Sequence, residues 1–164
     1  MTTIRAYNPA DAFEVGKLIQ ETYSRFNLSF LPARERGPFL GPFRFAAQPD
    51  PAQLHTIHNM ISTDLVLLAE DSGMVAGVLR GRIDRLGSLF VYQDYQGHGV
   101  GRSLVEEYEG WVQMKGGKVI RVAATLYAVP FYQKMGYKKS TGVRKSWSFE
   151  GYGLPIQPMR KVIK

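Results

Sequence analysis

A glycine-rich turn near the middle of the chain constrains its fold more than any other feature. Residues 96–101 read Gln-Gly-His-Gly-Val-Gly; they follow the apolar run 89–92 and precede apolar residues at helical spacing. The apolar run is typical of a central strand buried on both faces, and a second strand is expected over residues 119–124. The order strand, turn, helix, strand predicts that these two strands are parallel neighbours, connected by a helix over residues 100–115.

Turn and capping residues delimit the other elements. Asn8 and Pro9 are typical of an N-cap and a first helical position, so a helix is expected after a short amino-terminal strand. Asp71-Ser72-Gly73 predicts a hairpin turn. The other expected elements are a helix over residues 52–61, hairpin strands over 65–70 and 75–83, a third strand over 85–92, a short helix over 130–135 and a last strand over 159–163.

Prolines and glycines interrupt residues 27–53 too often for a long regular element. The segment is nevertheless rich in phenylalanine and leucine, which is not typical of a disordered linker. We therefore expect a substrate-side loop or lid that packs against the domain and walls a pocket.

The composition bounds the class of protein. A chain of 164 residues has the size of one domain, so residues 1–164 are expected to form a single domain with one core. The chain has no cysteine, which excludes a disulfide framework, a thiolate zinc site and a cysteine nucleophile. No aliphatic run is long enough to cross a bilayer and residues 1–11 lack the apolar centre of a secretory signal, so we expect a cytoplasmic protein with no membrane partner.

Two histidines have helical spacing but do not complete a metal site. His55 and His58 lie three residues apart in the helix expected over residues 52–61, and no third ligand is evident nearby. We interpret both as surface residues and expect no metal.

The position of the glycine turn, between a buried strand and a helix start, favours binding of a phosphate. Free N–H groups and the positive end of the helix dipole attract an anion there, and glycine lets the backbone approach closely. A dinucleotide-binding fingerprint needs glycine where Arg102 stands and an acidic residue after the next strand, but residues 118–124 contain none. A P-loop needs Gly-Lys-Ser/Thr after the glycines. Both of these nucleotide sites are excluded.

Two motifs in sequence order carry a family resemblance. Leu89-Phe90-Val91 is followed by Gln96-x-x-Gly99-x-Gly101, and about thirty residues later by Ala128-x-x-Phe131-Tyr132-x-x-x-Gly136-Tyr137. This arrangement resembles the GNAT superfamily of acyl-CoA-dependent N-acetyltransferases over about residues 65–139.

The resemblance implies an α/β (α+β mixed) sheet with a splayed central pair of parallel strands and helices on both faces. It implies transfer of an acetyl group from acetyl-CoA to a primary amine by direct attack in a ternary complex. The backbone of residues 89–91 would pair with the pantetheine arm, the N–H groups of residues 96–101 would hold the pyrophosphate, and an N–H near Val91 would stabilise the oxyanion. The cofactor-binding residues that it implies are Leu89, Phe90, Val91, Gln96, Gly97, His98, Gly99, Val100, Gly101, Arg102, Ser103, Thr125 and Tyr132.

The resemblance also implies a catalytic role for Tyr132. In similar enzymes the tyrosine of the Phe-Tyr pair protonates the departing CoA sulfur, and a phenol is a suitable donor to a nascent thiolate. Phe131 is expected in the core. Arg102 and Ser103, in the first helical turn, could add a charge and a hydroxyl to the phosphate site.

Two positions depart from the family pattern. Arg85 stands where many members have a glutamate, and it cannot accept a proton, so the general base is unassigned. Asp84, Glu70, Glu35 or a chain of water molecules remain as alternatives. Thr125 stands where an asparagine commonly bonds the pantetheine arm, and its hydroxyl replaces an amide only in part.

Excess positive charge is concentrated at the carboxyl end. Residues 134–164 hold eight of the 21 basic residues but one of the 14 acidic ones, so the net charge of +7 arises there. We expect basic strands over residues 138–164. Their positive field is compatible with binding of the CoA phosphates or of an acidic acceptor. The alternative interpretation is a solvated basic tail that binds no ligand.

Two other functions remain open at this point. Arginine and lysine alternate with Trp147 and Tyr152, which is compatible with a nucleic-acid-binding domain, although nucleic acid is the less favoured partner. The missing glutamate is compatible with a catalytically silent acyl-CoA sensor. In each case we expect a monomer or a homodimer.

Overall fold

The computed structural model describes residues 2–164, which form one mixed sheet in the strand order β1-β2-β3-β4-β5-β8-β6, with β7 also paired to β8. The strands are β1 (Thr2–Ala6), β2 (Leu65–Asp71), β3 (Met74–Gly81), β4 (Arg85–Val91), β5 (Val119–Thr125), β6 (Lys138–Lys139), β7 (Arg144–Ser148) and β8 (Gly151–Val162). The α-helices are α1 (Ala12–Thr22), α2 (Gly37–Leu40), α3 (Pro51–Ile61), α4 (Val100–Met114) and α5 (Val129–Lys134). None of the helices in this part of the chain has the length and apolar character needed to cross a membrane.

The sheet is covered by helices on both faces, as predicted. In β2, Leu67 and Ala69 point to one face and Val66 and Leu68 to the other, and all four are buried. On the first face they pack with α4 and α5, and on the second with α1 and α3. A strand that is apolar on both sides needs helices on both sides, which accounts for the continuous apolar run of β2.

Short-range signals fix two boundaries where the sequence predicts them. The Asn8 side chain accepts a hydrogen bond from the Ala10 N–H (3.0 Å), and Asp11 completes a capping box before α1. In the hairpin of β2 and β3, Ser72 and Gly73 both have positive φ (51° and 80°), as a tight hairpin turn requires. The predicted helix start and hairpin are thereby confirmed.

Strands β4 and β5 are parallel neighbours, as predicted, but they pair over a short stretch. Arg85 lies opposite Arg121 and Leu86 opposite Val122, and no other β4–β5 pair occurs within the described residues. Beyond these pairs β4 continues beside β3, and β5 continues beside β8. The pair is therefore splayed, and a gap opens toward the carboxyl ends of both strands.

A β-bulge in β4 determines which side chains face this gap. The register between β3 and β4 shifts at Gly87, which is the extra residue on the β4 side. Leu86 and Leu89 consequently pack on the same face as α4, whereas Phe90 packs on the opposite face with α1 and α3. Without the bulge, the alternation of side chains would place Leu89 on the other face from Leu86.

Residues 27–53 contain only short helical turns, α2 and the start of α3, in agreement with the expected lack of a long regular element. Phe149, between β7 and β8, lies against Gly41, and Phe39 lies against Gly151. A Cβ added at either glycine would come within 2.4 Å of the facing ring. The segment is thereby interlocked with the turn between β7 and β8.

The carboxyl-terminal strands are more extensive than predicted. The strands expected over residues 138–164 are β6, β7 and β8, and the last of them, predicted over residues 159–163, runs for 12 residues. Pro155 and Pro158 lie inside β8 without ending it, because each has a ladder partner on one side of the strand only: Pro155 lies opposite Lys145 of β7, and Pro158 lies opposite Ala123 of β5. Each proline removes one donor, and pairing of the residues around it outweighs that loss.

Candidate active site

The gap between β4 and β5 opens into a cleft of about 550 Å³. Its walls come from the end of β4, from the glycine turn with the start of α4, and from the segment between β5 and the end of α5. The lining residues are Leu89, Val91, Gln96, Gly97, Gly99, Val100, Gly101, Arg102, Tyr127, Ala128, Phe131, Tyr132, Lys134 and Met135. Both sequence motifs therefore meet at one concave, mostly apolar cavity, the usual form of a small-molecule site.

The backbone of β4 presents hydrogen-bonding groups to the cleft. The Tyr92 N–H donates to the Ala76 carbonyl beside it on β3 (3.0 Å), so in an alternating antiparallel ladder Phe90 also bonds toward β3. Leu89 and Val91 alternate with these residues and direct their N–H and C=O groups toward the gap. Their side chains line the cleft and are half-buried, so the expectation of a strand buried on both faces is wrong for these two residues.

The glycine turn brings free N–H groups to the cleft. Gly97 and Gly99 have positive φ (78° and 85°), a conformation that side chains other than glycine rarely adopt. Gly99 is the N-cap of α4, and the first helical bond runs from the Ser103 N–H to its carbonyl (3.0 Å). The N–H groups of residues 100–102 therefore have no partner inside the helix and lie at the positive end of its dipole.

The charged residues among the described lining residues are Arg102 and Lys134, and both are cations. Arg102 lies 3.6 Å from Glu106, but both side chains are more than half exposed, so this pair restrains Arg102 weakly. Together with the free N–H groups, the two cations make the cleft suitable for a phosphate-bearing ligand.

A chain of side-chain hydrogen bonds crosses the open end of the gap. The Gln96 amide donates to the Val91 carbonyl (2.9 Å), and the Tyr127 hydroxyl donates to the Gln96 side-chain oxygen (2.6 Å). Tyr127 follows β5 and stacks on Phe26, of the π-helical turn Tyr23–Asn27, with ring centroids 5.0 Å apart. These contacts connect the β4 side of the gap to the β5 side and hold the glutamine of the glycine turn against β4.

Tyr132 lies in α5 on the wall of the cleft, and only 4 % of it is exposed. Burial raises the pKa of its phenol well above the usual range, and the neighbouring Tyr108 raises it further. The hydroxyl makes no hydrogen bond within residues 2–164, yet none of their polar side-chain atoms is both buried and unpaired. The hydroxyl must therefore reach the solvent of the cleft, where it is a protonated and free donor.

Nine of the 13 predicted cofactor residues line the cleft, and Phe90, His98, Ser103 and Thr125 do not. Phe90 is 9 % exposed and belongs to the opposite face of the sheet. His98 and Ser103 are exposed beside the glycine turn. Thr125, at the end of β5, accepts a hydrogen bond from the Asn27 side-chain amide (3.1 Å). The roles of all 13 residues in binding stay predictions.

Three lining residues, Tyr127, Lys134 and Met135, were not singled out from the sequence. Lys134 and Met135 follow Tyr132 on the same helical turn, so its motif could have pointed to them. Phe131 was expected in the core, but it is half-buried and lines the cleft. A Cβ added at Gly101 would lie 3.2 Å from its ring, so a side chain at residue 101 would press against Phe131.

No carboxylate lines the cleft within the described part of the chain. Of the three candidate bases, Glu70 forms an ion pair with Arg5 (2.7 Å) on the β1 side of the sheet. Asp84 and Glu35 are exposed on turns outside the cleft, and Arg85 is exposed beside Asp84. The structure does not bring these carboxylates together at the cavity.

The histidines of α3 lie away from the cleft. His58 shares a hydrogen bond with the Tyr7 hydroxyl (2.8 Å), and His55 is exposed. Residues 2–164 contain no group of three or more side chains that could hold a metal ion.

Comparison with known proteins gives a family and a set of similar structures. The family model described as an acetyltransferase (GNAT) domain matches residues 44–163. A GCN5-related N-acetyltransferase from Rhodopseudomonas palustris is 21% identical over 99% of this chain and 96% of its own, with a TM-score of 0.79. PaiA N-acetyltransferase from Thermoplasma acidophilum in complex with coenzyme A is 17% identical over 99% of each chain, with a TM-score of 0.68.

An aminoglycoside 6'-N-acetyltransferase complexed with coenzyme A is also similar, at 18% identity over 99% of this chain and 97% of its own, with a TM-score of 0.66. No curated protein sequence matches the chain. The likeness to the solved structures extends over nearly the whole chain, and it confirms the predicted mixed α/β fold.

Proposed function

Because the chain belongs to the acetyltransferase (GNAT) family, we propose that it transfers an acetyl group from acetyl-CoA to a primary amine by direct attack in a ternary complex. The observation that carries the proposal is the cleft between the splayed ends of β4 and β5. Its walls combine a helix start with free N–H groups, two cations and a buried phenol with a free hydroxyl. Two proteins of the same fold were solved with coenzyme A, which supports coenzyme A as the ligand here.

The phosphates of acetyl-CoA would be held at the start of α4. The N–H groups of residues 100–102 donate to them, and Arg102 and Lys134 add positive charge. The pantetheine arm would pair with the backbone of β4 as an added strand. The Val91 carbonyl is bonded to Gln96, so the groups available to the arm are those of Leu89, and the Val91 N–H is left for the thioester carbonyl.

The reaction forms a C–N bond and breaks the C–S bond of the thioester. A neutral amine attacks the carbonyl carbon, and the Val91 N–H donates to the carbonyl oxygen as negative charge develops on it. Tyr132 donates its proton to the departing sulfur, so that CoA leaves as a thiol. The amine nitrogen releases one proton, which returns to Tyr132 or to solvent through water, since no carboxylate lines the described cleft.

A catalytically silent acyl-CoA sensor is the second candidate, and the lack of a carboxylate among the described lining residues favours it. A sensor needs the phosphate and pantetheine contacts but no proton acceptor for the amine. The two functions therefore share their binding predictions and differ only in turnover.

A thiol-release assay separates the two candidates. Because the chain contains no cysteine, every thiol that a disulfide reagent detects comes from CoA, and the background from the protein is zero. The protein is incubated with acetyl-CoA and a panel of small primary amines, polyamines, aminoglycosides and peptides with free amino termini. Acyl transfer is supported when one class of amine raises the rate above that without acceptor, and mass spectrometry finds the acetylated amine.

Calorimetry with CoA completes the test. Micromolar binding without turnover on any amine supports the sensor. Failure to bind CoA and acetyl-CoA at millimolar concentration contradicts both candidates.

A further inference from the structure

Beside the wall of the cleft that carries Tyr132, three charged or polar side chains form a closed cluster: Glu109, Tyr137 and Lys161. Lys161 of β8 donates to both carboxylate oxygens of Glu109 on α4 (2.9 and 3.1 Å) and to the Met135 carbonyl at the end of α5 (2.7 Å). The Tyr137 hydroxyl donates to the same Glu109 carboxylate (2.9 Å). The cluster therefore ties the end of α5 to α4 and to β8.

The cluster is largely shielded from water. The Glu109 and Lys161 side chains are 15% and 26% exposed, and Tyr137 is 2% exposed. The Lys161 ammonium also lies 5.6 Å from the centre of the Tyr137 ring. Burial and the adjacent Glu109 raise the pKa of Tyr137, so its hydroxyl stays protonated and remains a donor to Glu109. Each charge in the cluster has a partner, which makes the arrangement stiff.

Tyr137 contacts Tyr132 directly in two ways. The Tyr137 N–H donates to the Tyr132 carbonyl (2.9 Å), and the two rings pack edge to face with centroids 5.6 Å apart. The Tyr132 hydroxyl has no hydrogen bond within residues 2–164, so only ring packing and the backbone fix its position. Of the neighbours that supply this packing, Tyr137 is the one anchored at its far end by a charged group.

We propose that Tyr137, anchored by Glu109 and Lys161, is a positioning residue that fixes the Tyr132 hydroxyl in the cleft. This inference rests on the proposed function, in which that hydroxyl donates a proton to the thiolate. The anchor acts on the proton-transfer step, and it touches neither the phosphate site nor the backbone of β4. Its loss should therefore lower kcat and leave the affinity for CoA unchanged.

The main test replaces Tyr137 by phenylalanine, which keeps the ring and removes only the hydroxyl. We expect kcat to fall roughly tenfold, because small displacements of a reacting group have effects of that order or larger, with the KM for acetyl-CoA unchanged. Tyr7→Phe is the matched control: it also removes one tyrosine hydrogen bond, to His58, but far from the cleft, and it should keep wild-type kcat. Glu109→Gln keeps an oxygen that can accept from Tyr137, and it should retain more activity than Tyr137→Phe.

A double-mutant cycle distinguishes positioning from general destabilisation. If Tyr137 acts through the Tyr132 hydroxyl, Tyr137→Phe should have almost no further effect on kcat in a Tyr132→Phe background. An equal tenfold loss in both backgrounds would overturn the positioning role and leave the proposed function intact. If Tyr132→Phe alone leaves kcat unchanged, the proton-donor role fails and the positioning role fails with it.

A second measurement needs no turnover. In protein labelled with ¹³C at the tyrosine ζ carbon, the Tyr132 signal is assigned by its loss in Tyr132→Phe. Tyr137→Phe should shift or broaden this signal, whereas Tyr7→Phe should leave it unchanged. A Tyr132 signal identical in wild type and Tyr137→Phe overturns the inference, even if the protein acetylates none of the amines tried.

Discussion

Replacing Tyr132 by phenylalanine isolates the chemistry of a single hydroxyl from the packing of its ring. The ring is buried between Phe131 and Tyr137, and phenylalanine preserves both edge-on contacts. The hydroxyl makes no hydrogen bond within the described residues, so its removal breaks none. We expect the free energy of unfolding to change by no more than about 0.5 kcal/mol, as for a substitution that leaves no partner unpaired.

The expected effect on catalysis is far larger. A positioned general acid contributes roughly 10² to 10⁴ in rate, which corresponds to about 2.7 to 5.5 kcal/mol in the activation barrier. Tyr132→Phe should lower kcat by this factor, while calorimetry finds the affinity for CoA within about twofold of wild type. Thiol release measures kcat, and a thermal melt beside it shows that the variant is folded.

Tyr108 is a second buried tyrosine and serves as a comparison for Tyr132. The Tyr108 hydroxyl donates to the Arg82 carbonyl (2.6 Å), so Tyr108→Phe should cost about 1 kcal/mol of stability. The proton-donor role of Tyr132 predicts the opposite pattern for Tyr132→Phe, a large loss of rate with a nearly unchanged melting temperature. A kcat within twofold of wild type, with chemistry shown to be rate-limiting by single-turnover kinetics, would refute it.

Three further predictions concern the cleft and the tyrosines. Gly101→Leu should weaken CoA binding by about tenfold or more in calorimetry, because its side chain enters the cleft against Phe131. Gly110→Leu is the control and should bind CoA normally, because a Cβ added at this helical glycine would have no atom outside its own helix backbone within 4 Å. In the pH profile of kcat, ionisation of Tyr132 should cause no fall below about pH 10, because burial raises the pKa of its phenol. A fall in kcat near pH 8 that is absent in Tyr132→Phe would contradict this. Melting temperature should fall as pH rises above about 10, because the unfolded chain releases tyrosine protons there while the folded chain retains them. Absorbance at 295 nm should show that tyrosines with raised pKa ionise together with unfolding; they are Tyr7, Tyr23, Tyr92, Tyr108, Tyr132 and Tyr137.

Local signals were sufficient for much of the fold. The N-cap at Asn8, the turn at Ser72 and Gly73, and the order of strand, glycine turn and helix each depend on interactions between residues close in sequence. The parallel pairing of β4 and β5 followed from that order, because a strand-helix-strand unit leaves few other arrangements.

Other features depend on neighbours that are distant in sequence. Pro155 and Pro158 remain inside a strand because each is paired on one side only, with Lys145 of β7 and Ala123 of β5 respectively, and local sequence does not show which side of a strand is paired. The bulge at Gly87 changes which face Leu89 occupies; an isolated glycine inside a strand is a sign of a bulge, but the shift in register is visible only once β3 is placed beside β4. The bond between Tyr127 and Gln96 joins residues 31 positions apart, so it becomes visible only once the two strands are placed side by side.

The splay itself connects the fold to the proposed function. Two neighbouring parallel strands that separate leave backbone groups of Leu89 and Val91 facing a gap, and a polar backbone group left unpaired in a shielded place costs about 1 to 3 kcal/mol. The chain satisfies one of these groups with its own Gln96 amide, which bonds the Val91 carbonyl, and Tyr127 holds that amide in place. A ligand with amides along an extended arm would satisfy the others by acting as the missing strand. The same gap places such an arm between the phosphate-binding start of α4 and the Tyr132 hydroxyl, so the position of the unpaired backbone determines where a thioester can react.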